Sequence, residues 1–340
     1  MGAWYVTREE VSSAPDIKAS AYAAPQLDRA IESGARRVER TLHRIFYPWT
    51  GTKRWDYPLA ADARSGVLWL DDQEIISLTS LTAGEVSIPL SSVLMEPVNS
   101  GPPYHSLVLN RDTSAAFSGG QQGIVAVGVF GGCALDEISV GTLTAGVSAS
   151  VTTLPLTTSP GVGSILRVDS ERMIVTEKLW VSSGQTGSLA ASNASNSLTV
   201  SDGTVFTAGE ELIIDAERLF VNAVTGNTLI VQRAWSGSTL AAHTTATIYW
   251  SHSLTVQRGA LGTTAASHLT AAPALKFLPP GPITELNQAY AIDSFFQAGA
   301  GYARTVGSGE NERQMTGRAI RDLEKAVYGN YGRFVRFRSV

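Results

Sequence analysis

A single cysteine, Cys133, stands among 340 residues. That excludes an intramolecular disulfide and any zinc site built on cysteines. No run of about 18 apolar residues occurs, so the sequence predicts no membrane span. The N-terminus, Met-Gly-Ala-Trp-Tyr-Val-Thr-Arg-Glu-Glu, lacks the basic-then-apolar order of a secretory signal. The reading is a soluble protein made in a cytoplasm. Charge is scarce too, at 16% of residues against 44% hydrophobic, which is ample for a buried core. Gly, Ser, Thr and Ala are abundant, a composition of β-rich chains that live in assemblies.

Signatures of chemistry are equally sparse. The five histidines, His43, His105, His243, His252 and His268, show no His-x-x-x-His or comparable ligand spacing. The Gly128-Val-Phe-Gly-Gly132 stretch lacks the phosphate cradle GxxxxGK[ST], and no Gly-x-Ser-x-Gly elbow with a plausible triad is present. Cys133 reads as a small buried apolar residue. Asp169-Ser-Glu171 and Asp215-Ala-Glu217 come nearest to a carboxylate site, since residues two apart on a strand share a face. A pair that recurs in two repeats belongs to the fold, however. Each carboxylate is expected to pair with Arg172 or Arg218, or to cap a turn, and His243 and His268 to close loops by hydrogen bonding. The sequence predicts no enzyme, no metal and no cofactor.

What is present is first a helix. From Pro25 to Phe46, residues Leu27, Ala30, Ile31, Ala35, Val38, Leu42, Ile45 and Phe46 recur with the helical period. Arg29, Arg36, Arg40 and Arg44 stand with acidic residues on the opposite face. Pro25 suits a first helical turn, and Pro48 ends the element. Upstream, Thr7-Arg-Glu-Glu10 fits a capping box. Helices return at 282–297 and over Glu312–Tyr328, with Gly329 as a C-terminal cap, and the opening helix is expected to pack on both. The tail Tyr331-Gly-Arg-Phe-Val-Arg-Phe-Arg-Ser-Val340 alternates apolar and arginine residues with a strand period.

Between the helices the chain reads as β-structure. Residues 51–132 form a small all-β domain whose turns carry Gly, Asp and Pro. The middle holds two internal repeats at different offsets. Gly163–Val175 matches Gly209–Val221 46 residues on, and Leu254–His268 follows Leu229–His243 by 25. Unequal offsets exclude a tandem array and indicate nesting: one unit at 197–249 inserted into another made of 150–180 and 250–278. Residues 181–197, rich in Ser, Gly and Asn, read as a flexible link. The expected fold class is α+β multidomain, a discontinuous helical bundle of 1–50 and 279–330 with large all-β insertions (small β-sandwich or barrel domains, two nested β repeats) and a docking tail at 331–340.

Net charge is −4, unevenly spread. Residues 24–58 carry +3 and residues 300–340 carry +4, whereas 59–299 carry −10. A basic face can meet nucleic acid or an acidic protein surface.

Several stretches, taken in order, resemble the head-to-tail adaptors (connector or head-completion proteins) of long-tailed bacteriophages, those infecting actinobacteria above all. They are the helix run Leu27–Arg44, Phe46-Tyr-Pro48, Thr52-Lys-Arg-Trp-Asp-Tyr-Pro58, Leu68-Trp-Leu70, Leu78–Gly84, Glu96-Pro-Val-Asn99, Gly101-Pro-Pro-Tyr104, Gly301–Gly307 and the terminal Tyr-Gly-Arg-Phe. The resemblance covers most of the chain. It implies a virion protein forming a homo-oligomeric ring of twelve beneath the portal protein, with a tail-side connector, stopper or tail terminator protein as its other partner. Genomic double-stranded DNA would pass through the lumen unread, from assembly in the host cytoplasm to ejection from the virion. Smaller relatives are little more than the helices, so the β domains depart from the pattern; they are expected to decorate the ring or reach neighbouring subunits or the capsid. In this reading Tyr331, Arg333, Phe334, Val335, Arg336, Phe337 and Arg338 dock on the portal, and deleting 331–340 leaves folding intact. Arg29, Arg36, Arg40 and Arg44 meet the adjacent subunit or the DNA channel. The alternative is a tail or baseplate β-repeat protein that binds a host-surface glycan. A general nucleic-acid-binding protein has only the basic helix in its favour.

Overall fold

The structure, a computed structural model, describes residues 2–14, 24–57, 66–70, 74–118, 120–299, 305–306, 313–314 and 318–333. Among the described residues, strands make up 39% and helices 21%. This overturns the expected helical bundle with β insertions. The molecule is a β-protein on which a few helices lie as a layer, and those helices have no core of their own.

The helices are α1 (Arg8–Ser12), α2 (Ala24–Leu42), α3 (Gly281–Gly299) and α4 (Arg318–Tyr331). The capping box of α1 is formed, with Thr7 and Glu10 satisfying each other's backbone donors. Helix α2 buries Leu27, Ala30, Ile31, Gly34, Ala35, Val38 and Leu42. Ile45, placed on the same stripe by sequence, is 48% exposed, because the helix ends at Leu42 and His43 turns the chain at φ +52°. Asn287 of α3 is fully buried and serves as a polar pin: its Oδ1 accepts from the Tyr5 N–H at 3.1 Å and its Nδ2 donates to the Ile31 carbonyl at 3.1 Å. Gly34 is what lets α3 come so close, since a Cβ there would lie 2.6 Å from Asn287 Nδ2. Helix α4 starts later than the sequence predicts and runs through Gly329. It stops at Gly332, whose N–H bonds the Tyr328 carbonyl at 2.8 Å.

Residues 49–130 form a sandwich of β1 (Trp49–Trp55), β2 (Val67–Trp69), β3 (Ile75–Ala83), β4 (Val86–Ser87), β5 (Val93–Glu96), β6 (Ser106–Leu109) and β7 (Ile124–Phe130). A four-stranded sheet, β1-β7-β3-β4, faces a three-stranded one, β2-β6-β5. Leu68, Leu107, Leu81, Ala126 and Phe130 fill the space between them.

The remaining strands are β8 (Glu137–Thr142), β9 (Thr153–Pro155), β10 (Ile165–Val168), β11 (Glu171–Leu189), β12 (Ser197–Thr199), β13 (Glu211–Ile214), β14 (Glu217–Thr225), β15 (Thr228–Gln232), β16 (His243–Gln257) and β17 (Pro273–Phe277), joined in one ten-stranded sheet. A short pair, β18 (Thr305–Val306) and β19 (Arg313–Gln314), lies where the sequence reads a glycine-rich loop and the start of the last helix. The ten strands curl into two barrels. Barrel one has the order β9-β16-β11-β10-β17-β8, using the C-terminal half of β16 and the N-terminal half of β11. Barrel two has the order β12-β15-β14-β13-β16-β11, using the other halves. Residues 254–257 pair with 174–178 of the first repeat. Residues 181–189, read from composition as flexible, belong to β11. What makes them strand is their partner β16, which supplies the backbone ladder that the Ser- and Gly-rich sequence does not advertise.

Barrel one and the helices share one core. Leu166, Met173, Val175 and Leu254 are continuous with Ile31, Val38, Leu286 and Tyr290. Arg8 reinforces the joint, gripping Asp28 of α2 at 2.7 Å and Glu177 of β11 at 2.9 Å. Barrel two has a separate core around Leu198, Leu212, Leu219 and Ile248.

Candidate functional site

Each barrel contains a buried glutamate–arginine–histidine cluster, and the two match atom for atom. In barrel one, Glu171 is fully buried. Its Oε1 accepts from Arg258 Nε and the Gly259 N–H, both at 2.8 Å. Its Oε2 accepts from Arg258 Nη2 (2.8 Å), the Ala266 N–H (2.9 Å) and His268 Nε2 (2.9 Å). The other ring nitrogen of His268 meets Asp169 Oδ2 at 2.8 Å. In barrel two the same roles fall to Glu217, Arg233, Ala234, Ala241, His243 and Asp215, with distances of 2.7–3.0 Å. Burial pushes each glutamate up, but the guanidinium, two backbone N–H groups and the histidine outweigh it and hold Glu171 and Glu217 at about 2.

These clusters correct the expected pairing. The partners are Arg258 and Arg233, whereas Arg172 reaches Thr50 in the sandwich and Arg218 pairs with Glu211. Each cluster closes its own barrel: the arginine also binds carbonyls of the loop before β9 or β12, Ser148 and Val151 in one case and Ala190 and Ser195 in the other. Every acceptor of the glutamate is occupied, so no position is left for a substrate or cation. Among the described residues no group of three His, Cys, Asp or Glu is placed to hold a metal ion. A signal for the true partners does exist in the sequence, because Val-Gln-Arg and the later histidine recur together in both repeats. Cys133 is buried with its Sγ on the Phe46 carbonyl at 3.0 Å. Burial, helped by Glu74 and Asp136, pushes the thiol up to about 12.

The arginines singled out in the sequence lie on or beside the helical layer. Of the four arginines that the sequence places on the opening helix, Arg29 and Arg40 face solvent and Arg44 lies beyond its end. Arg36 is half-buried, bonding the Ala3 carbonyl and lying 3.0 Å from Glu39. Arg44 is held by Glu74 at 2.6 Å and the Tyr331 carbonyl at 3.1 Å. Arg37, not among the four, is 48% exposed and sits 4.0 Å over the Tyr290 ring, bridging to Glu324 at 2.9 Å. The outward basic stripe is therefore Arg29, Arg37 and Arg40, about 16 Å long at 1.5 Å per residue.

Two of the predicted tail residues are described, and both are anchored. Tyr331 packs edge-on against Phe46, with ring centroids 6.1 Å apart. The Arg333 N–H donates to the Leu42 carbonyl at 3.1 Å, and the Arg333 carbonyl accepts from the Tyr328 hydroxyl at 3.0 Å. Phe334, Val335, Arg336, Phe337 and Arg338 lie outside the described residues. Deleting 331–340 would remove Tyr331, which packs against the helical core.

Comparison of the chain with protein-family models, with curated proteins and with solved structures finds no match in any of the three. No helix among the described residues is long and apolar enough to cross a membrane.

Proposed function

We propose that this protein is a head-to-tail adaptor of a long-tailed bacteriophage: a structural, non-enzymatic virion protein that closes into a ring of twelve under the portal and continues the DNA channel toward the tail. The ordered motifs of the sequence support the reading. The observation that carries it is the concentration of partner-ready features on one layer. Helix α2 presents Arg29, Arg37 and Arg40 outward, and its C-terminal end holds the start of the terminal segment through Leu42, Arg44 and Phe46. Ring closure of this kind is heterologous, one face of a subunit meeting a different face of the next. The basic stripe then faces a neighbour or the DNA backbone, and residues 334–340 reach the portal. Barrel one is joined to this layer through a common core, and barrel two, with its separate core, is free to extend outward.

Electron microscopy of the purified chain, alone and mixed with portal protein, tests the reading. The expected result is a ring with a central pore as wide as a DNA duplex. A chain lacking 334–340 should keep its melting temperature and fail to co-sediment with portal. A monomer that forms no ring even on portal would overturn the assignment, as would undiminished co-sedimentation of the truncated chain.

A further inference from the structure

One loop recurs in both barrels with the same backbone and meets two different surroundings. It follows Arg258 in barrel one and Arg233 in barrel two. Gly259, Leu261 and Gly262 have φ of +56°, +53° and +80°, and their counterparts Ala234, Ser236 and Gly237 have +52°, +52° and +75°. Each loop is tied to its barrel in the same way. The Arg172 N–H donates to Thr263 Oγ1 and the Arg218 N–H to Ser238 Oγ, both at 2.9 Å.

In barrel one this loop seats the sandwich. The Leu261 carbonyl accepts from the Thr50 N–H of β1 at 2.8 Å, and Arg172 Nη1 donates to Thr50 Oγ1 at 2.5 Å. Gly262 permits the approach, since a Cβ there would collide with the Thr50 carbonyl. The N–H is available because β1 is an edge of its sheet. In barrel two the same loop is open. Among the described residues no N–H reaches the Ser236 carbonyl, and Gly237 is exposed. Arg218, the counterpart of the buried Arg172, pairs with Glu211 at 3.3 Å and is still 43% exposed. Phe220, on the same face of β14, stacks on Trp235 of the loop with centroids 4.6 Å apart.

A matching edge is free on the sandwich. The sheet order β1-β7-β3-β4 makes β4 its second edge. The Ile88 N–H goes to the Leu81 carbonyl at 2.9 Å, so by the alternation of an antiparallel pair Ser87 turns its own N–H away from β3. Ser87 therefore offers what Thr50 offers, an outward N–H and a hydroxyl on one residue. Val86 beside it is 68% exposed, an apolar side chain suited to the Phe220–Trp235 pair. Glu85, exposed in the turn that leads into β4, supplies a carboxylate for Arg218.

We propose that this face of barrel two docks a second copy of this chain through the β4 edge of its sandwich. Ser87 of one copy meets the Ser236 carbonyl and Arg218 of the next, repeating between subunits the contact that Thr50 makes with Leu261 and Arg172 within one. Edge and loop are different surfaces, so the contact is heterologous. It rests on the ring reading above and names a subunit contact for that ring.

The test is oxidative cross-linking of the full chain, alone and on portal protein, with electron microscopy of the same samples. Cys133 is buried, so engineered cysteines report alone. Residues joined by a main-chain hydrogen bond stand about 5–6 Å apart at Cα, within disulfide reach. A mixture of Ser87→Cys and Ser236→Cys chains should form disulfide-linked dimers that neither variant forms by itself, and the double variant should form a ladder of longer covalent oligomers. Arg218→Glu in the Ser236→Cys chain should suppress the link by facing Glu85, and Glu85→Arg in the Ser87→Cys chain should restore it. Rings without cross-linking would overturn this contact and leave the ring reading standing. Cross-linked chains that never close into rings would uphold the contact and overturn the ring. Absence of both would overturn both, and linking of Ser87→Cys to itself would overturn the heterologous geometry.

Discussion

Barrel one and barrel two hold the same ionic cluster at equivalent positions of different strands, yet only barrel one is continuous with the helices. The cluster in each is a closing device, and what surrounds it decides how much of the molecule depends on it. Removing one member of a buried, fully bonded ion pair costs about 3–5 kcal/mol, because the remaining charge is stranded. Glu217→Ala strands Arg233 and His243 in a barrel with its own core. It is expected to melt barrel two in a separate early transition while the helical circular-dichroism signal persists. Glu171→Ala strands Arg258 and His268 inside the core shared with α2 and α3, so the helical signal should fall with it. One common midpoint for both variants would end the idea of two separable bodies.

The acid limb sharpens the same contrast. Both glutamates are held at about 2 in the folded chain, below an ordinary carboxylate near 4.3. A depressed value means that the stabilisation is complete above the ordinary range and is lost as pH falls through it toward 2. Thermal scans from pH 5 to pH 2 should show both transitions descending. Glu217→Gln should flatten the descent of the barrel-two transition alone.

How far this was legible in the sequence varies with the kind of contact. Helix α2 was legible because its stripe is local: Leu27, Ala30, Ile31, Ala35, Val38 and Leu42 sit within a few turns of one another. The strand at 181–189 was not, since these residues gain strand geometry only from β16, some sixty residues on. The two repeat offsets, 46 and 25, are the sequence trace of β11 and β16 each serving both barrels. The clusters were half visible. Asp-x-Glu and the histidines repeat plainly, but Arg258 lies 87 residues from Glu171, and adjacency in sequence favoured Arg172 instead.

A smaller effect separates the barrels through a glycine pair. Gly163 and Gly209 occupy equivalent positions with φ of +95° and +92°. Alanine at either strains the backbone, at about 1–2 kcal/mol. At Gly209 nothing lies within 4 Å of the new methyl, whereas at Gly163 it would come within 2.3 Å of the Trp4 ring. Gly163→Ala should therefore cost about 1–3 kcal/mol more than Gly209→Ala, the usual penalty of overpacking. Chemical denaturation of the two variants reads the difference directly. Equal costs would mean that Trp4 does not pin the N-terminal segment to barrel one.

The smallest expected effect is the one that should not distinguish the barrels at all. Asp169 and Asp215 contact His268 and His243 from the surface, with side chains 60% and 66% exposed. Both sit in hairpin turns at φ of +52° and +53°, a region that asparagine tolerates as well as aspartate. Asp→Asn therefore tests the charge without disturbing the turn. An exposed ion pair contributes about 0–1 kcal/mol, so each substitution should lower stability by less than about 1 kcal/mol, and by the same amount in both barrels. A much larger loss at one of them would show that its histidine depends on the outer carboxylate and not on the buried glutamate, and the apparent identity of the two clusters would fail at that point.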